Sequence, residues 1–277
     1  MPFIKRARKP TLHYRIDDFT DPWKNAGTIL LQHGYGRSTQ FWYGWVPYLS
    51  RFYKVVRPDL RGLGESPVDF NPATDITLDG YVEDLMAVLD ELKLESVHYC
   101  GESCGGIIGM ALAAGHPERV RTLSLVAAPV SLNQKTHERY AAGYASREEA
   151  LRTMGAKKWA AATYVFPPGT DPGLHEWYAG EVGKSDVEVL CGLYGLLRHA
   201  SGKDFLPRIK APVLGLYPTS GPITSREQEE QLAAGIKNLR MIHLPTGFHS
   251  IVTLKPAVCA QHVLHFAAQY DGIACHE

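Results

Sequence analysis

The residues with the clearest chemical potential are in Gly101-Glu102-Ser103-Cys104-Gly105-Gly106, between Val97-His98-Tyr99-Cys100 and Ile107-Ile108-Gly109-Met110-Ala111-Leu112. The first flank reads as a short buried strand and the second as the opening of an apolar helix. A serine held between glycines at such a junction is forced into a tight turn that lifts its hydroxyl clear of the sheet. Gly101 and Gly105 suit that turn because a larger side chain would collide where the two backbones cross. Ser103 is therefore the candidate nucleophile. Its neighbour Cys104 is expected to point into the helix packing and to offer its amide rather than its thiol. Glu102 is expected to fix neighbouring loops.

Chemistry at Ser103 needs a parallel sheet to carry it, and the rest of the chain supplies the elements. Thr28-Ile29-Leu30-Leu31-Gln32 is a continuous apolar run, as expected for a strand covered on both faces. It ends in His33-Gly34-Tyr35-Gly36, where backbone N–H groups can face a cavity at the strand's carboxyl end. The Tyr35 amide is placed there. Leu12–Ile16 alternates like an outer strand, Tyr53–Arg57 is the next strand, and Phe41–Trp45 opens a helix whose aromatics serve the core. Leu78, Tyr81, Leu85, Val88 and Leu92 recur at helical spacing. Val120–Val126 continues a βαβαβ order, so the fold class is α/β with a mostly parallel central sheet flanked by helices.

The pattern changes near Pro129. Until Pro212 no strand is expected, only helical stretches such as 147–164, and the sheet resumes at Pro212–Tyr217. Residues 1–129 and 211–277 are thus expected to form the core, with 130–210 a helical cap whose aromatics mostly pack on one another. Ser225 is a plausible N-cap for a helix with Glu227, Glu229 and Glu230 in its first turn. Leu239–Leu244 is the last strand, and Cys259, Val263 and Phe266 mark the apolar face of a closing helix.

Composition narrows the classes. The 277 residues carry 29 Lys plus Arg and 29 Asp plus Glu, so no global field draws the chain to nucleic acid or to an anionic membrane. No run approaches the roughly 18 apolar residues of a membrane span. The basic start, Lys5-Arg6-Ala7-Arg8-Lys9, reads as a solvated tail. Five cysteines without paired spacing read as reduced thiols, and a cytoplasmic location is the expectation. No histidine shows metal-ligand spacing and no cofactor motif appears. A small-molecule substrate is the expected partner, and a homodimer is left open.

With these pieces placed, the chain resembles the α/β-hydrolase fold family over nearly its whole length. The likeness rests on His33-Gly34-Tyr35-Gly36 at the oxyanion loop, Gly101–Gly105 at the nucleophile elbow, and Gly247-Phe248-His249 after the last strand. Pro58-Asp59-Leu60-Arg61-Gly62-Leu63-Gly64-Glu65-Ser66 is also a loop typical of the family. The resemblance implies Ser103 as nucleophile, His249 as general base, and the Tyr35 and Cys104 amides as the oxyanion hole. His33 is expected to be structural. The chain departs from the family at the acid. The loop after Tyr217 reads Pro218-Thr219-Ser220-Gly221-Pro222-Ile223-Thr224, and the second known location offers Ala127 and Ala128. Either an acid from elsewhere turns toward His249, with Glu227 the closest in sequence, or the site runs on a Ser-His dyad. Within the family a serine elbow argues against the haloalkane dehalogenase and epoxide hydrolase branches, whose nucleophile is aspartate, and the small lid without a cofactor motif favours cleavage of an ester or lactone. Carbon–carbon bond hydrolysis, thioester hydrolysis, perhydrolysis and a ligand receptor that keeps the pocket remain alternatives.

Overall fold

The computed structural model describes residues 2–221 and 223–275. Its eight strands are β1 (Phe3–Arg6), β2 (Lys9–Asp17), β3 (Thr28–Gln32), β4 (Lys54–Pro58), β5 (Val97–Glu102), β6 (Val120–Val126), β7 (Val213–Pro218) and β8 (Leu239–Leu244). They form one sheet in the order β1-β2-β4-β3-β5-β6-β7-β8. The β1–β2 and β2–β4 pairs are antiparallel, and every pair from β4 to β8 is parallel. The helices are α1 (Val46–Leu49), α2 (Leu78–Glu91), α3 (Cys104–Gly115), α4 (Gln134–Tyr140), α5 (Arg147–Met154), α6 (Ala156–Thr163), α7 (Pro172–Val182), α8 (Val187–Leu197), α9 (Arg226–Gly235), α10 (Ile251–Leu254) and α11 (Pro256–Asp271).

Alternation along the central strands explains the layering. Leu30 packs in one apolar cluster with Leu85 of α2 and Ile107 of α3. Its neighbours Ile29 and Leu31 pack in a second, with Leu49 of α1 and Val263 of α11. Covered on both faces, β3 is wholly buried, with Ile29, Leu30 and Leu31 between its buried polar ends Thr28 and Gln32. Trp42 and Trp45 are likewise buried, although their segment forms a 3₁₀ turn (Thr39–Trp42) followed by the single-turn α1 rather than one helix. The sheet's carboxyl edge, where β3, β5, β6, β7 and β8 end, is the edge on which loops can meet.

One expectation fails. The basic start is no free tail: Phe3–Arg6 is the edge strand β1, turned back on β2 through Arg8 at φ 58°. Arg6 pairs with the buried Asp84 of α2 and Lys9 with Glu83 at 2.6 Å. Charge counted along the chain could not show that acidic partners await on a helix more than seventy residues away.

Between β6 and β7 the chain forms helices α4–α8, and the described residues there hold no strand beyond a bridge between Ser131 and Ser201. Gly155, at φ 75°, separates α5 from α6. Among the described residues no helix is long and apolar enough to cross a membrane.

Candidate active site

Ser103 stands alone between β5 and α3 with φ 53° and ψ −121°, a conformation that costs a residue with a side chain about 1–3 kcal/mol. The surroundings hold it there. Its N–H donates to the Val126 carbonyl at 3.0 Å, and its own carbonyl accepts from Gly106 N–H at 2.9 Å. A Cβ on Gly101 would lie 2.4 Å from the Gly105 carbonyl oxygen, and one on Gly105 would lie 2.6 Å from that of Gln32. Strand and helix approach so closely that hydrogen is the largest substituent allowed at either position.

His249 follows β8 through Pro245–Phe248 and lies 146 residues beyond the serine, yet its Nε2 is 3.1 Å from Ser103 Oγ. The ring is 9% exposed. Burial, followed by the charges of Arg37 and Arg139, lowers its pKa from 6.5 to about 3, so the imidazole is a neutral base at physiological pH.

The acid expected beside that ring is not where the alternatives put it. Glu227 is exposed in the first turn of α9 and makes no ion pair with His249. Thus the structure does not bring the suggested acid to the base. Ala127 and Ala128 are buried, and Ser220 Oγ lies 3.1 Å from where a Cβ on Gly247 would stand. Among the described residues the carboxylate within 4 Å of His249 is Glu102, 3.8 Å from Nε2, the nitrogen that already faces the serine. Its oxygen is engaged by Arg37 Nη1 at 2.6 Å. Arg37 also donates to Tyr178 Oη, and to Ser250 Oγ at 3.2 Å. Glu102 therefore ties the elbow, the Gly34 turn and the histidine loop together, as expected of a loop-fixing residue. Burial raises its pKa while Arg37 opposes the rise. Arg37 was missed in the sequence. The available signal was a cation five residues past the end of the buried strand β3, directly behind Gly36.

The second loop contributes backbone. Gly34-Tyr35-Gly36-Arg37 is a turn closed by Arg37 N–H on the Gly34 carbonyl at 3.3 Å, with Gly36 at φ 64°. Among the described residues the Tyr35 N–H has no backbone acceptor. Cys104 N–H is the first of α3, one of the amides that a helix leaves without an internal partner. The Cys104 thiol is pushed up to about 12 by burial, so it stays protonated and unreactive. His33 is structural: Nδ1 meets the Gly34 carbonyl at 2.9 Å and Nε2 accepts from Leu60 N–H at 3.0 Å.

Ser103, His249, Tyr35 and Cys104 all border one cavity of about 30 Å³, which Tyr140, Arg147 and Tyr164 also line. That volume holds a water or two. Among the described residues no group of three His, Cys, Asp or Glu side chains is placed to hold a metal.

Comparison with known proteins agrees with this fold. The profile of the α/β hydrolase fold matches residues 27–176, more than half of the chain. A protein of Azorhizobium caulinodans named for carbamate hydrolysis, RutD, is 26% identical over 261 residues, 89% of this chain and 93% of the relative. A hydrolase structure from Pseudomonas aeruginosa superposes with a TM-score of 0.81 at 25% identity, covering 98% of both chains. The enol-lactonase structure from Burkholderia xenovorans gives 0.79 at 23% identity, covering 96% of this chain and all of that one. Sheet order, elbow and kinship converge: this chain is a hydrolase belonging to the α/β-hydrolase fold family.

Proposed function

We propose that the protein hydrolyses a small carboxylic ester or lactone through an acyl-enzyme on Ser103. The observation that carries the reading is the 3.1 Å contact between His249 Nε2 and the hydroxyl of a serine held at positive φ. His249 takes the Ser103 proton as Oγ attacks the carbonyl carbon. The carbonyl oxygen gains the charge, and the Tyr35 and Cys104 amides receive it, each worth about 2.7–4 kcal/mol in comparable sites. The imidazolium then returns the proton to the leaving alkoxide, and a water activated by the same nitrogen releases the acid. In a lactone the leaving alkoxide stays attached, so one product leaves. The names of the relatives, carbamate hydrolase and enol-lactonase, support acyl transfer to water as the class.

Residues 130–210 act in this reading as a cap over the core formed by 1–129 and 211–277. A cavity of about 30 Å³ is too small for any ester with more than a few heavy atoms, so helices α4–α8 shift to admit substrate. Among the described residues no carboxylate other than Glu102 lies within 4 Å of the His249 ring, which favours a slow enzyme, since removing the orienting group from a triad lowers turnover about 10⁴-fold without abolishing it. It also supports a second reading, a receptor that binds a ligand and turns over less than once. A fluorophosphonate tests the first reading: it labels Ser103 and spares Ser103→Ala. Steady release of p-nitrophenol from p-nitrophenyl acetate, lost in that variant, separates enzyme from receptor. A label elsewhere, or none, overturns the nucleophile assignment.

A further inference from the structure

The cavity above Ser103 contains a cation that catalysis does not use. Arg147, the first residue of α5, is 3% exposed. Its guanidinium carbon lies 4.1 Å from the ring centre of Tyr194, 4.6 Å from Tyr140 and 4.9 Å from Tyr35. The rings of Tyr35, Tyr140 and Tyr194 surround the guanidinium, and its N–H donors are the part able to meet a ligand. Among the described residues no carboxylate lies within ion-pair distance of it, and its Nε has no hydrogen-bond partner. Glu148, next in sequence, turns to Arg198 at 3.4 Å. The tyrosines cannot supply the missing charge as phenolates, because burial raises the pKa of Tyr140 and Tyr194. The other cation on this cavity, Arg37, is already neutralised by Glu102. Burying an ion without a counter-ion is costly, and a chain gains nothing from it unless something else brings the opposite charge.

Resting on the hydrolase reading above, we infer that the substrate carries a carboxylate. Arg147 is the positioning residue that binds this group while the scissile carbonyl lies at Ser103. Both ends border one cavity, Arg147 through the cap side and Ser103 through the floor. Arg147 also stacks on the ring of Tyr35, the residue whose amide faces the oxyanion. A monoester of a short dicarboxylic acid, or a lactone bearing a free acid, has this chemistry.

The test compares monomethyl succinate, glutarate and adipate with the same methyl esters carrying a terminal amide, which match in shape and differ in charge. The wild type is expected to prefer at least one acid over its amide by roughly 10–100-fold in kcat/KM, the range of a charged hydrogen bond. In Arg147→Gln the ratio falls toward one, and Arg147→Lys restores part of it. Reading a ratio cancels any general loss of packing around the rings. If Arg147→Gln does not fold, the wild type still decides: glutarate should inhibit p-nitrophenyl acetate hydrolysis at least tenfold more strongly than glutaramide. Equal rates on acids and amides, or a preference that survives Arg147→Gln, overturns the inference and leaves the hydrolase intact. Failure of the hydrolase reading gives a separate result, no ester cleaved and no fluorophosphonate on Ser103. In that case thermal-shift titration with glutarate against glutaramide decides whether the anion site exists.

Discussion

The titration of His249 reports directly on whether a carboxylate supports it. An ordinary histidine protonates near pH 6.5, and an orienting carboxylate would hold it there or higher. Here burial comes first and the charges of Arg37 and Arg139 follow, and together they bring the group to about 3. That displacement corresponds to something on the order of 5 kcal/mol against the imidazolium, at about 1.4 kcal/mol per pH unit. Between pH 7 and pH 5 a base of pKa 6.5 would lose about 25-fold in its neutral fraction, whereas one near 3 loses about 1%. The kcat/KM of the unbound enzyme on p-nitrophenyl acetate should therefore stay level from pH 7 to pH 5. Stability moves in the same window. The unfolded chain binds a proton near pH 6.5 that the folded ring refuses. The ring's contribution to stability is thus fully present above that value and lost progressively toward pH 3. Circular dichroism at each pH separates that loss from protonation of the site. A reversible inflection in kcat/KM between pH 6 and 7, with the fold intact, would refute the reasoning and reveal an acid acting on the ring. A base this weak also explains why turnover should be low, since general bases work best with a pKa near the operating pH.

Gly105→Ala places a methyl 2.6 and 2.7 Å from the carbonyl oxygens of Gln32 and His33. It should cost about 1–3 kcal/mol in urea unfolding and move Ser103 enough to lose on the order of 100-fold in kcat. Gly180→Ala, inside α7 with open space around its Cβ, should instead raise stability by about 0.5–1 kcal/mol. Arg37→Met leaves Glu102 buried without its partner and should cost about 3–5 kcal/mol at neutral pH. Most of that should return in Arg37→Met/Glu102→Met, and thermal unfolding of the three proteins checks it.

Sequence by itself determined what depends on neighbours along the chain. The elbow was legible because its glycines, its buried strand and its apolar helix are contiguous. Strands β3 and β7, buried along their whole length, were legible because burial on both faces favours apolar runs. The order of nucleophile and base followed, and with it the family. Tertiary structure decided what depends on distance between segments. Arg6 meets Asp84, so a basic stretch becomes an edge strand and not a tail. Arg37 meets Glu102 and reaches Ser250, 213 residues away, so the carboxylate beside the nucleophile is consumed by a neighbouring loop. Arg147 looks like one of many exposed helix arginines until three separate segments wrap it in aromatic rings. A charge's effect is set by what surrounds it and by how much water is left. The order of residues does not state either quantity, and only the packed chain defines them.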